Sequence, residues 1–186
     1  MRVLRRVVQV AAALVGLLLV AGLFLPGSAH VERSIFTTAS PAVVYDIVSG
    51  FRRFNEWSPW FDLDPAARYA FSGPEQGVGA KMAWTSDERD VGSGSQEILA
   101  VEPGRSVTTK LDFDAQGQAT STVLIEPEGS GSRITWAFDT SFEGDYFGRY
   151  FGLLFDRLIG ADYEKGLARL KALAERTPAS AAAPVS

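Results

Sequence analysis

The sequence predicts an α+β domain in which a curved, seven-stranded antiparallel sheet wraps around a long C-terminal helix, behind an N-terminal transmembrane helix. Three observations predict it. An uncharged apolar run opens the chain. Six short alternating segments, separated by turn residues, then fill residues 68–141. Beyond about Asp145 the apolar period changes from strand-like to helical. The 186 residues suffice for one ordinary domain with an appendage.

The apolar run is Val7–Leu25, 19 residues with Gln9 as the one polar side chain. As a helix it spans roughly 28 Å, close to the hydrocarbon thickness of a bilayer. Arg2, Arg5 and Arg6 precede it and all 22 acidic residues follow it. The positive flank favours a cytoplasmic N-terminus and an extracytoplasmic domain. An uncleaved anchor is one reading. A signal peptide cleaved near Ala29, leaving a secreted or periplasmic domain, is the other, because Gly27-Ser28-Ala29 are small. The run exceeds the roughly 7–15 residues of a signal core, which favours the anchor. A buried soluble helix would need a polar face, and there is none.

Val31–Thr37 alternates as a strand. Ser40 and Pro41 are a good N-cap and first residue for a helix, with Gly50 to end it. A second short helix is expected over Phe51–Trp57, broken by Ser58-Pro59. Strands follow at Arg68–Ser72, Lys81–Thr85, Ser95–Val101, Ser106–Phe113, Gln118–Glu126 and Arg133–Thr140. Turn residues at hairpin spacing join them, so an antiparallel meander is expected. From Asp145 to Arg176 the spacing of Phe147, Phe151, Leu154, Phe155, Leu158, Ile159, Tyr163, Leu167, Leu170 and Leu173 is helical, with a kink expected at Gly160-Ala161-Asp162. Thr177–Ser186 reads as a disordered tail. The expected organisation is therefore an anchor or signal peptide over 1–29, a domain over 30–176 and a tail over 177–186. A seven-stranded sheet needs a cover for its apolar face, and the long helix is the element large enough to provide it.

Composition removes several classes of function. No cysteine means no disulfide, thiolate metal site or cysteine nucleophile. One histidine allows no histidine cluster, and no metal constellation or cofactor motif is present. The net charge of −4, and of −7 once the three N-terminal arginines are set aside, argues against a nucleic-acid partner. It also argues against a basic patch for anionic lipid, so membrane contact should come from residues 7–25. Gly73, Gly77 and Gly79 lead into a strand, not a helix N-terminus, and read as a tight turn, not a phosphate loop. Asp62 and Asp64 read as loop residues, and Asp139 alternates away from Trp136 and Phe138 towards solvent. No serine has a nucleophile-elbow setting. Neither His30, at the domain edge, nor Glu97 marks a catalytic centre. No catalytic residue is assigned.

The order of elements resembles the helix-grip, START-like or SRPBCC superfamily over about residues 31–175, in its polyketide cyclase/dehydrase-like bacterial branch. The residues that carry the resemblance are Ala39-Ser40-Pro41-Ala42-Val43-Val44-Tyr45, Trp57-Ser58-Pro59-Trp60, Gly77-Val78-Gly79-Ala80 before Trp84, Ile134-Thr135-Trp136, and Tyr163-Glu164-Lys165-Gly166-Leu167-Ala168-Arg169-Leu170-Lys171. The resemblance implies an internal pocket for a lipid or other hydrophobic small molecule. It implies no particular reaction. On this reading Trp57, Trp60 and Phe61 border the mouth, with a packed aromatic corner as the plainer alternative. Trp84, Leu111, Phe113, Val123, Trp136 and Phe138 line the pocket from the sheet. Phe147, Phe151, Leu154, Phe155 and Leu158 line it from the helix, with ordinary core packing as the alternative. Tyr163 is the best placed of Tyr45, Tyr69 and Tyr163 to hydrogen-bond a ligand's polar end. The leading expectation is a membrane-anchored binding domain. A cyclase or dehydratase-like enzyme and a filled interaction module remain alternatives, and oligomeric state is undetermined.

Overall fold

The computed structural model describes residues 2–114 and 117–178. Helix α1 (Arg2–Gly22) is followed by β1 (Ser28–Thr37) and α2 (Pro41–Val48). Strands β2 (Arg68–Ser72), β3 (Lys81–Thr85), β4 (Ser93–Glu102), β5 (Ser106–Asp112), β6 (Gln118–Glu128) and β7 (Gly131–Ser141) come next, then α3 (Gly148–Gly152) and α4 (Phe155–Arg176). The strands form one antiparallel sheet in the order β1-β7-β6-β5-β4-β3-β2. The meander thus closes back on β1, as hairpin connections dictate.

Helix α1 contains a 20-residue stretch, Val3–Gly22, long and apolar enough to cross a membrane, and its residues from Val3 to Ala21 are exposed. Strand β1 starts earlier than expected. Ser28 and Ala29 pair with Ser141 and Thr140, and the Phe142 amide donates to the Gly27 carbonyl at 2.8 Å. Only Leu23–Gly27 separates α1 from the sheet.

One local expectation holds in position but not in its bonding, and two are corrected. Ser40 sits in extended conformation with Pro41 at the first helical position, but its hydroxyl makes no cap bond; its carbonyl accepts from Val43 and Val44 instead. Phe51–Trp57 is not a helix. It holds only a 3-10 turn, Phe54–Glu56. The rings of Phe51, Phe54 and Trp57 recur every third residue, which is the 3-10 period. They pack edge-on, at 6.4 and 4.9 Å between successive centroids. Finally, the C-terminal helix breaks at Leu153-Leu154, between α3 and α4, and not at Gly160. Gly160 lies within α4 because the helix runs close over β1: a Cβ there would strike the Arg33 guanidinium. The tail from residue 179 onward lies outside the described residues.

The core joins α2, the sheet and the buried face of α4. Val44, Ile47, Ile98, Ile125, Ile134, Leu167 and Leu170 are all essentially inaccessible. Two polar clamps hold α4 on β1. Arg33 donates from Nε to Glu164 and from Nη1 to Asp156, each at 2.8 Å. Near the far end Glu175 accepts from the Thr38 amide at 3.0 Å and from the Thr37 and Thr38 hydroxyls at 3.2 Å. Arg33 holds the Asp156 carboxyl below its ordinary pKa, and the Thr38 amide does the same for Glu175.

Candidate functional site

Between the sheet and α4 lies a cavity of about 620 Å3. That is within the roughly 300–1,000 Å3 of small-ligand pockets. A directly opposed row crosses the sheet beneath it: Met82 on β3, Gln96 on β4, Leu111 on β5, Ala119 on β6 and Thr140 on β7. Alternation places every member of this row on one face. Phe155, Leu158, Ile159, Asp162 and Tyr163 of α4 close the other side, and Phe54, Asn55, Ser58 and Trp60 complete the wall.

Of the residues anticipated for the pocket, Trp60, Trp84, Leu111, Phe113, Phe138, Phe155, Leu158 and Tyr163 line it. The others lie elsewhere. Trp57, Val123 and Trp136 are packed core, each under 8% exposed. Trp57 and Trp60 flank Trp136 edge-on at 5.0 and 6.0 Å, so Trp136 supports the wall from behind. Phe61 packs behind Tyr69, which is itself in the lining. Phe147, Phe151 and Leu154 do not face the interior. They are 70%, 64% and 51% exposed, because the break at Leu153-Leu154 turns this part of the stripe outward. Phe142, directly after β7, packs against Phe155 at 5.7 Å and joins the lining.

Tyr163 lines the cavity, and its ring stacks on that of Trp136 behind it, at 3.8 Å with planes 10° apart. The Trp136 indole donates to Ser121 Oγ at 2.8 Å. Gly166, one turn on, passes so close to Trp136 that a Cβ would approach its ring to 2.7 Å. Burial pushes the Tyr163 phenol's pKa well up, countered in part by hydrogen bonding to Ser121, so the phenol is neutral at physiological pH.

The lining carries charged side chains on the connections at one end of the sheet, Arg89, Asp90, Glu143 and Asp145, and the polar Asn55, Gln96 and Asp162 elsewhere. The Trp60 indole donates to Asp162 Oδ2 at 3.1 Å. Gln96 is 6% exposed, its amide nitrogen reaching only the Met82 sulfur at 3.9 Å. Asn55 Oδ1 is buried without a partner. Buried acceptors of this kind cost free energy unless something donates to them. Asn55, Gln96 and Asp162 were not singled out from sequence. Gln96 had a visible signal, a polar residue on the inward face of a strand, two before Ile98. Asn55 and Asp162 had none. The carboxylates weighed from the sequence have structural partners: Arg169 pairs with Asp62, Ser86 donates to Asp64, Lys81 pairs with Glu97 and His30 with Asp139. Among the described residues no group of three or more His, Cys, Asp or Glu side chains could hold a metal.

Comparison with known structures agrees with this architecture. A protein of unknown function from Staphylococcus aureus matches with a TM-score of 0.61 at 11% identity, over 80% of this chain and 94% of that one. A protein from Chromobacterium violaceum matches at 0.57 and 17% identity, over 82% and 100%. The di-domain ARO/CYC protein StfQ of the steffimycin biosynthetic pathway matches at 0.58 and 13%, over 80% of this chain and 51% of that one. At such identities the likeness shows the helix-grip fold alone. No curated protein matches the chain. The family model described as polyketide cyclase/dehydrase and lipid transport matches residues 28–175, from the first residue of β1 to the last turn of α4, and the chain belongs to that family.

Proposed function

We propose that the protein is a membrane-anchored, extracytoplasmic domain that binds a lipid or another hydrophobic small molecule in the sheet–helix cavity. The observation that carries this reading is the cavity itself: about 620 Å3, walled mainly by aromatic and aliphatic side chains, with charged groups (Arg89, Asp90, Glu143 and Asp145) on the connections at one end and Asp162 on α4. Binding would be driven by desolvation, at about 0.8 kcal/mol per buried methylene. The unpartnered Asn55 carbonyl favours a ligand whose polar end donates a hydrogen bond, and the Gln96 amide nitrogen, held only by the Met82 sulfur, could donate to a ligand acceptor. The run Val3–Gly22 supports an anchor. So does the extent of β1, since cleavage after Ala29 would cut inside a paired strand. An anchor would keep the cavity near its lipid source and raise the effective concentration there.

The test is native mass spectrometry of residues 28–178 after exposure to a total lipid extract and removal of free lipid. These residues include the whole sheet and α4. A discrete added mass, lost in Trp60→Ala with the fold retained, is expected. A clean unliganded spectrum at high lipid concentration would overturn the reading.

A second reading is favoured by one observation: the Asp162 carboxylate lines the cavity beside the neutral Tyr163 phenol. A carboxylate and a phenol could act as base and acid on a polyketide-like substrate. On that reading Asp162→Asn abolishes conversion of a bound aromatic polyketone while its binding persists. Equal conversion by both proteins, or none by either, removes it.

A further inference from the structure

The antiparallel order places one set of strand ends together. The start of β1, the end of β7, the start of β6, the end of β5, the start of β4 and the end of β3 are successive neighbours through the pairs Ser28–Ser141, Ala119–Thr140, Asp112–Gln118, Ser95–Asp112 and Thr85–Ser93. The cavity reaches this end of the sheet. Val91 and Gly92 of the β3–β4 connection, Gly117 of the β5–β6 turn, and Phe142, Asp145 and Gly148 after β7 all line it. The same end carries α1, tied to β1 by only five residues.

Side chains strengthen this link. The Tyr146 hydroxyl donates to the Leu19 carbonyl, with the Leu18 carbonyl also within 3.2 Å, and Tyr150 reaches Leu18. Gly22 is buried against Tyr146, whose ring a Cβ there would strike. Leu18 lies four residues, or about 6 Å, before the end of the apolar helix. The segment holding Tyr146 and Tyr150 is therefore level with the last turn of the span, the depth of roughly 5–10 Å at which interfacial apolar side chains sit. Phe147, Phe151, Leu153, Leu154 and Leu158 project from this segment, each at least half exposed. Leu158 also lines the cavity. The apolar rim is thus continuous with both the span and the mouth.

We infer that the rim Phe147–Leu158 dips into the outer leaflet, so that the cavity opens onto the bilayer and takes up an amphiphile directly from it. This rests on the reading of α1 as a retained anchor. The occupant of the rim is lipid and not a folded partner, because the rim lies beside the span at the level of its last turn. Electrostatics contribute little. Asp87, Glu88, Asp90, Asp114, Glu143 and Asp145 occupy the loops at this end beside one base, Arg89, and the rim itself carries Arg149, Arg157 and an Asp156 paired with Arg33, so the charges are of mixed sign and the attraction that remains is the apolar one, which persists on a zwitterionic surface.

The chain contains no cysteine, so single labels can be introduced cleanly. The full chain is reconstituted in phosphatidylcholine vesicles with an environment-sensitive fluorophore at Phe151→Cys, at Ser130→Cys in the distal β6–β7 turn, or at Leu14→Cys within α1. Spin-labelled phosphatidylcholine and aqueous iodide serve as quenchers. The inference expects the label at 151 to be quenched several-fold more by the lipid probe, and several-fold less by iodide, than the label at 130. Lipid quenching at 14 with equal aqueous behaviour at 151 and 130 overturns the inference and leaves the anchor standing. Absence of lipid quenching at 14 overturns the anchor reading, and this inference with it. A label at 151 shielded from iodide but unquenched by lipid assigns the rim to a protein surface, and also overturns it.

Discussion

The ring of Tyr163 lies flat on that of Trp136, 3.8 Å away and 10° from parallel, and the pair joins α4 to β7 behind the cavity wall. Tyr163 is 1% exposed. Tyr163→Ala should therefore cost about 3–5 kcal/mol by the usual cost of truncating a buried aromatic. Tyr163→Phe keeps the stack and should cost about 1 kcal/mol or less. Urea unfolding of both variants checks this.

The same burial makes a prediction in alkali. The Tyr163 pKa is raised in the folded state. A raised phenol pKa contributes stability that is complete below the ordinary tyrosine value of about 10 and is lost as pH climbs past it. Tyrosinate absorbance should show Tyr163 ionising last, together with loss of the fold. Tyr163→Phe should remove that final step and extend the stable range upward. An early ionisation that tracks the exposed tyrosines would contradict the packing.

Acid should act through the two clamps that hold α4 on β1. Asp156 and Glu175 are both held below their ordinary pKa, by Arg33 and by the Thr38 amide respectively. Depressed carboxyls contribute stability that is complete above the ordinary range near pH 4 and is lost as pH falls through the folded values. The melting temperature should be level from neutral pH down to that range and then fall. Glu175→Gln retains an acceptor for Thr38 but loses the charge, so it should flatten part of that acid limb.

Much of this fold was readable because its strands are amphipathic. Arg68–Ser72 and Lys81–Thr85 alternate cleanly and appear with those bounds as β2 and β3. The β2–β3 turn was equally plain, since Gly73, Gly77 and Gly79 all take positive φ. What failed was the choice between periods and between faces. Phe51, Phe54 and Trp57 recur every third residue, a spacing that a helix and a 3-10 turn share. Phe147, Phe151 and Leu154 carry helical spacing, but period alone does not say whether an apolar face meets protein or something else. Nothing at Leu153-Leu154 marks a break, while Gly160, which looks like one, is small to admit Arg33. The cavity wall was legible where the aromatic residue was also an inward strand residue, as for Trp84 and Phe138. It was not legible where a polar residue lines it from the 3-10 turn or from α4, as Asn55 and Asp162 do.

The extent of β1 makes a prediction about processing. Cleavage after Ala29 would remove Ser28 and Ala29 from their pairing with Ser141 and Thr140, together with the Gly27 carbonyl that accepts from Phe142. An uncleaved chain keeps these bonds. The intact mass of the protein isolated from membranes should include residues 1–29, and alkaline carbonate should fail to extract it. A mature mass beginning at His30 would show that the sheet tolerates the loss and that the anchor reading is wrong.

The most direct handle on the cavity is Ala119. It lies in the cross-sheet row between Leu111 and Thr140, buried yet facing the void. Ala119→Phe should project a ring into space that a ligand's tail would occupy. Overpacking a filled core costs about 1–3 kcal/mol, whereas a ring that enters an existing void should cost less and can add buried apolar area. The expected result is little change in the urea midpoint with at least a tenfold loss of ligand affinity, about 1.4 kcal/mol, read by titration with a fluorescent fatty acid. Unaltered affinity would mean that binding does not use the space above Ala119. A large destabilisation would mean that the space closes in solution, and the interaction-module reading would then gain at the expense of the carrier.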